Sequence, residues 1–281
     1  MGQNLTYHER LGGNAIADTY RVTWKSNEHG TIQASATKIR NSDKVGDKIK
    51  REIEYLKQLD HPNVVKCYTM IPVRPFAVII SEFAPKGTLL DFLKDRLTMS
   101  RKLLHRWVFH LARGMEYLNE KGITQQRTLR SRNCFISATD ELKIHMCDYS
   151  IVDIFNIGNE DTINNSPTIF DITSRQMEAV DIFRYQSQFP KADIFAFAII
   201  VWEMLTCEAP ERGFAPDAVH SHHVPIVGDL RPAIPEDSSP FLKALVEQCW
   251  HVDFDQRPAM DVVVRRLRRE YEKRLAENDG M

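Results

Sequence analysis

Several absences narrow this 281-residue sequence before any motif is read. An excess of one charge is missing: 37 Lys and Arg against 38 Asp and Glu leave a net charge of −1. No broad basic field therefore draws the chain to nucleic acid or acidic lipid, and binding must come from local sites. Cysteine is sparse and unpatterned. Cys67, Cys134, Cys147, Cys207 and Cys249 are odd in number and include no C-x-x-C pair, which fits neither a disulfide framework nor a zinc site and predicts a reducing, cytoplasmic setting. Long hydrophobic runs are also missing. The most apolar stretch, Ile194 to Val201, is bounded by Asp193 and Glu203 and is far short of the ~20 residues that span a bilayer. The opening residues carry no signal-peptide pattern. They do match, loosely, the N-myristoylation pattern through Gly2 and Thr6; a single acyl chain binds membranes only marginally, so a membrane-proximal placement ranks below a purely cytoplasmic one.

What is present divides into a strand-rich beginning and a helical remainder. Residues 19 to 39 alternate in polarity around the turn-like N-E-H-G at 27 to 30, which predicts two antiparallel strands. In the second, Ile32, Ala34, Ala36 and Lys38 share a face, so a lysine ends an apolar row. From Lys44 to Leu59 the period becomes helical, with Val45, Ile49, Ile53 and Leu56 on one stripe and Glu52 set among them. Lys38 and Glu52 either reach solvent separately or meet, and the pattern favours neither. His61-Pro62-Asn63 predicts a turn and Phe76 to Ser81 a strand, and A-P-K-G at 84 to 87 leads into helices near 89–95, 101–121, 193–206, 240–250 and 258–277. Strand-like pieces lie near 134–137 and 142–146. His220, His222 and His223 are close together, but in a loop-like stretch, and are expected to be solvated rather than metal-bound.

Five pieces then fall in a known order: H-P-N-V-V at 61–65, A-R-G-M-E-Y-L at 112–118, L-R-S-R-N-C at 129–134, A-D-I-F-A-F-A at 192–198 and C-W-H-V-D-F-D-Q-R-P at 249–258. Together they resemble the protein kinase family over about residues 5 to 270. The resemblance implies a two-lobed α+β fold, with a small antiparallel β lobe over 1–82, a larger mostly helical lobe over 83–270 and a charged helical tail over 271–281. It implies that Lys38 contacts the phosphates of ATP and that Glu52 orients it. It places Gly12 at the first glycine of the phosphate loop, Ala36 against the adenine, Ser81 at the gatekeeper position and Glu82 to Ala84 in the adenine-binding hinge. Asn133 and Asp148 match the residues that hold Mg2+. Asp193, Arg257 and Glu178 match architectural positions, as do Leu56, Tyr149 and Gln126. The segment from Ile151 to Arg175 matches the activation loop.

The same resemblance exposes departures. The catalytic H-R-D is Gln126-Arg127-Thr128, and a threonine hydroxyl cannot act as the general base. Such a base is worth about 10²–10⁴-fold in rate, so its loss cripples transfer without forbidding it. Asn14 and Ala17 stand where two further loop glycines are expected, and D-F-G has become Asp148-Tyr149-Ser150. Arg130 and Arg132 keep positive charge near the γ-phosphate position, while Arg127 matches the residue that receives an activation-loop phosphate. The stretch from Ser131 to Asp148 resembles that of integrin-linked kinases, a pseudokinase family within the tyrosine-kinase-like group. The expectation is a pseudokinase that binds ATP, with Mg2+ where its ligands remain, and signals as a scaffold through protein partners on its C-terminal lobe. The competing expectation is a weakly active protein kinase.

Overall fold

The computed structural model describes residues 4–13, 17–40, 50, 53–73, 76–94, 96, 98–123, 129–146, 189–208 and 231–279. The chain divides into two units, one holding the described residues up to Gly87 with those from Phe135 to Met146, the other holding 88–134 and 189–279.

The first unit is built on a sheet of β1 (Asn4–Gly13), β2 (Ala17–Ser26), β3 (Gly30–Arg40), β4 (Cys67–Val73) and β5 (Phe76–Glu82), in the order β1-β2-β3-β5-β4. The predicted hairpin closes at Gly30, whose φ of 67° is one that a glycine adopts without strain, while the His29 N–H donates to Ser26 Oγ over 2.8 Å. All neighbouring strand pairs are antiparallel. Residues opposite one another share a face, so the register collects Val22, Trp24, Ala34, Ala36, Val78 and Ile80 into one buried cluster, with Leu5, Tyr20, Ile32, Tyr68 and Ile71 at its margin. The alternation of β2 and β3 is thus explained by this single cluster.

A short hairpin of β6 (Cys134–Ile136) and β7 (Leu142–Ile144) leans on the same unit from Phe135 onward. Val65 N–H donates to Ile144 O over 2.8 Å, Ile144 N–H to Asn63 O over 2.9 Å, and Ile136 N–H to Gly87 O over 2.9 Å. These backbone bonds explain why a boundary drawn at residue 82 differs from the observed division, since a later segment returns to complete the first unit.

In the second unit, α1 (Leu89–Lys94) precedes α2 (Arg101–Glu120). Ser100 caps α2 by accepting the Leu103 N–H, and Leu104, Trp107, Val108, Leu111, Met115 and Leu118 form its buried stripe. Its other end is closed by Gly122 at φ 71°, with Ile123 N–H returning to Leu118 O over 2.9 Å and Gly122 N–H to Asn119 O over 2.9 Å. Next come α3 (Phe189–Thr206), α4 (Pro240–Cys249) and α5 (Met260–Asp279). α3 is apolar on every side and accordingly buried, α4 packs on it, and α5 packs on α2. Val263, Val264 and Leu267 bury the first half of α5, after which Tyr271 stacks on Phe109 of α2 with ring centroids 6.1 Å apart. The helix runs unbroken to Asp279, so the charged stretch from residue 271 to 279 is the end of α5.

Candidate functional site

The two strands that carry the expected nucleotide-facing residues are β3 and β5. Their ladder pairs Lys38 with Val78, Ala36 with Ile80, Ser35 with Ser81 and Ala34 with Glu82, with no irregularity between. Lys38 and Ala36 therefore share a face with Val78 and Ile80. Ser81 lies on the opposite face, against Ser35 and Cys67. The side chain opposite Ala36 belongs to Ile80, which is fully buried. Ser81 itself is buried at 2% exposure.

At the open end of the ladder the Lys38 ammonium lies 4.0 Å from the centroid of the Phe76 ring, a cation–π contact made possible by placing both residues on one face. Glu52 lies outside the described residues, as do Arg127, Thr128, Asp148 and the activation segment. Cys147, Glu178, Tyr149, Gln126 and the three clustered histidines do so as well.

At the other end Glu82 is held from three directions. Its N–H donates to Lys66 O over 2.8 Å, and its carboxylate accepts the Lys66 N–H over 3.3 Å and the Lys143 ammonium over 2.6 Å. The Glu82 carbonyl takes a 3.3 Å bond from the Ser35 hydroxyl, which also lies 3.4 Å from Ser81 O. Burial chiefly, and the Glu82 carboxylate secondarily, raise the Tyr68 phenol above the ordinary tyrosine value. Ala84 O accepts the Gly87 N–H over 3.2 Å, closing the turn that follows, with Gly87 at φ 75°. Sequence reasoning missed Phe76, Lys66 and Lys143. For Lys143 the signal was present, a lone lysine between the buried Leu142 and Ile144.

The expected phosphate loop begins at Gly12 and Gly13, the end of β1, and its Asn14 lies outside the described residues. A Cβ on Gly12 would meet nothing within 4 Å, whereas one on Gly13 would fall 2.5 Å from Asp18 Oδ1 and 2.7 Å from Ala17 O. The glycine that the fold itself requires here is Gly13, because Asp18 is drawn in by its 2.7 Å ion pair with Arg10.

In the second unit Asn133 ends a 3-10 turn (Ser131–Asn133) and is 4% exposed, its N–H bonded to Arg130 O over 2.9 Å. Arg130 is 8% exposed, so its charge is largely withdrawn from solvent. Asp193, Glu203 and Arg257 are buried too. Arg257 donates Nε to His251 O over 2.9 Å and an outer nitrogen to Lys191 O over 3.1 Å, and its guanidinium lies 5.2 Å from the Phe195 ring centroid. Asn133 offers the neutral oxygen that Mg2+ accepts, and its donor chemistry fits that ion. Among the described residues no group of three or more His, Cys, Asp or Glu is gathered for a metal, and no helix is long and apolar enough to cross a membrane.

Comparison with known proteins fits this arrangement. Residues 5–267 match the family model of protein tyrosine and serine/threonine kinases, and the chain belongs to that family. A probable serine/threonine-protein kinase of Dictyostelium discoideum is 25% identical over 271 residues, covering 94% of this chain and 19% of its own length. The serine/threonine-protein kinase VIK of Arabidopsis thaliana is 28% identical over 226 residues, covering 78% of this chain and 49% of its own. The mitogen-activated protein kinase kinase kinase dlk-1 of Caenorhabditis elegans is 31% identical over 218 residues, covering 77% and 22%. The chain spans less than half the length of each of these relatives.

These relatives overturn the expectation of a pseudokinase scaffold, for each is named as a kinase. A tie to integrin-linked kinase finds no support among them. The departures at Asn14, Ala17, Thr128, Tyr149 and Ser150 cripple individual contributions, but phosphoryl transfer rests mostly on positioning and charge stabilisation, which they do not remove altogether.

Proposed function

We propose that the chain is the catalytic domain of a protein kinase that transfers the γ-phosphoryl group of ATP to a serine or threonine hydroxyl of a protein. The observation that carries this reading is the family match across residues 5–267, with relatives named as serine/threonine kinases covering most of this chain. In the reaction a bond forms between the acceptor hydroxyl oxygen and the γ-phosphorus. The bond from that phosphorus to the β–γ bridging oxygen breaks, and ADP leaves.

Within this proposal the backbone of Glu82 and Ala84 would take the adenine, with Ala36 beneath it. Gly12 and Lys38 would serve the phosphates, and Glu52 would orient the lysine. Mg2+, held by Asn133 and Asp148, would neutralise charge on the phosphates when bound. For Lys38 to serve them its ammonium must leave the Phe76 ring, a half-buried contact worth about 1–2 kcal/mol. With Thr128 at the base position, the hydroxyl proton passes to solvent or to a phosphate oxygen. The rate is accordingly low, and positioning supplies most of the acceleration. Protein partners are expected on the helical unit.

The test is transfer of labelled γ-phosphate from Mg–ATP to a mixed serine/threonine protein substrate, by wild type, Lys38→Met and Thr128→Asp. The reading expects slow transfer by wild type, loss in Lys38→Met and a gain of about 10²-fold or more in Thr128→Asp. Transfer by neither wild type nor Thr128→Asp would refute it.

A further inference from the structure

Glu82 brings a carboxylate to the strand end whose backbone is proposed to receive the adenine. Its side chain is only 25% exposed, and a carboxylate so far withdrawn from water needs a compensating charge. The described residues supply two lysines nearby. Lys66 contributes its backbone N–H, but its ammonium is directed to Leu59 O at 2.9 Å and Asp60 at 3.7 Å. The compensating charge is therefore Lys143, 61 residues further along the chain, 13% exposed and 2.6 Å from Glu82 Oε1.

Lys143 is fixed from beneath. It is the central residue of β7, flanked by Leu142 and Ile144 at 1% exposure, and alternation turns it to the face opposite theirs. The strand is tied to residues 63–65 by Val65 N–H to Ile144 O, Ile144 N–H to Asn63 O and Asn63 Nδ2 to Leu142 O at 3.1 Å. The ammonium thus stands on a strand anchored by the backbone just before β4.

We propose that Lys143 is a positioning residue for nucleotide binding: its ion pair with Glu82 fixes the strand-end backbone at the spacing an adenine base requires. The inference rests on the nucleotide-transfer reading above. Without Lys143, the Glu82 carboxylate turns toward water and gives up the Lys66 N–H, loosening one of the bonds that hold the strand end against residue 66. Hydrogen bonds weaken steeply with misalignment, so a small displacement costs affinity while leaving the phosphate-facing Lys38 in place.

The experiment is titration with a fluorescent N-methylanthraniloyl ATP, with thermal unfolding as a folding control, on wild type, Lys143→Met, Lys143→Arg and Glu82→Gln. Lys143→Met and Glu82→Gln are expected to raise Kd at least fivefold, and Lys143→Arg to restore it to within twofold of wild type. In transfer assays, KM for ATP rises in Lys143→Met while kcat stays within twofold. A folded Lys143→Met with wild-type Kd overturns the positioning role and leaves the nucleotide reading standing. If Lys143→Met does not fold, a wild-type Kd in Glu82→Gln overturns it instead. Wild type that binds no nucleotide removes both.

Discussion

The two units treat polar side chains differently. In the sheet unit the notable charges sit along the β3–β5 ladder, Lys38 near one end over an aromatic ring and Glu82 at the other in a partly shielded ion pair. In the helical unit Asn133, Asp193, Glu203 and Arg257 are each less than 5% exposed. The difference teaches where substitution should touch chemistry and where it should touch folding. A charge held at a ladder end is redirected at small cost, whereas a buried one is part of the packing. Lys38→Met should therefore lower transfer by about 10²–10³-fold, the usual loss for one preorganised charge or donor. Its unfolding midpoint should stay within about 1 °C of wild type, a shift of roughly half a kcal/mol. A large fall in the midpoint would dissolve the contrast between the units.

Arg257→Met reverses the pattern. It strips the carbonyls of His251 and Lys191 of their guanidinium donors in a site that is 2% exposed. At about 1–3 kcal/mol for each buried group left unsatisfied, a loss of about 2–4 kcal/mol in denaturant unfolding is expected. An unchanged denaturation midpoint would show that the helical unit does not depend on its buried charges.

Much of this division was legible in the sequence. The alternation of residues 19–39 and the stripes of α2 and α5 announced their elements because one face of each is buried. β1 and β4 were not announced. Both are edge strands, β1 slips register between Tyr7 and Gly12, and β4 slips between Cys67 and Thr69, so neither repeats with period two. Strand pairing was hidden for a more general reason: alternation fixes which residues of one strand share a face, not which residue of the next strand lies opposite. Hence Lys38 and Ala36 were read correctly as neighbours on one face, while the pairing of Ala36 with Ile80 and of Ser35 with Ser81 could not be read from either strand alone. The Lys143–Glu82 pair joins residues 61 apart, and no local pattern encodes it.

Buried thiols sharpen the comparison at high pH. Burial pushes the Cys249 thiol up to about 12, and Cys134 shifts the same way. Both belong to the helical unit. A folded-state pKa above the unfolded value means that the native protein keeps a proton which the unfolded chain has lost. Stability from Cys249 is thus complete below about pH 8.5 and falls through the window up to about 12, by about 1.4 kcal/mol per pH unit per thiol. Urea unfolding at pH 8 and pH 10 should show this loss, and Cys249→Ala should lessen the difference between the two pH values. An equal loss in the variant would place the alkaline sensitivity elsewhere.

The smallest expected effect compares one tryptophan from each unit. Trp202 is 2% exposed and its indole N–H donates to Ala233 O over 2.8 Å. Trp24 is 3% exposed, and its indole nitrogen has no hydrogen-bond partner among the described residues. Replacing either by phenylalanine removes similar ring area, so the volume penalties nearly cancel in the difference. What remains is the polar part: Trp202→Phe leaves a carbonyl unsatisfied, while Trp24→Phe removes an N–H that burial already penalises. Trp202→Phe should therefore be the more destabilising, by about 1 kcal/mol, in paired denaturant titrations. Equal losses would mean that the Trp24 nitrogen finds an acceptor in solution, such as an ordered water, and that its burial among Tyr68 and His29 is better satisfied than its neighbours suggest.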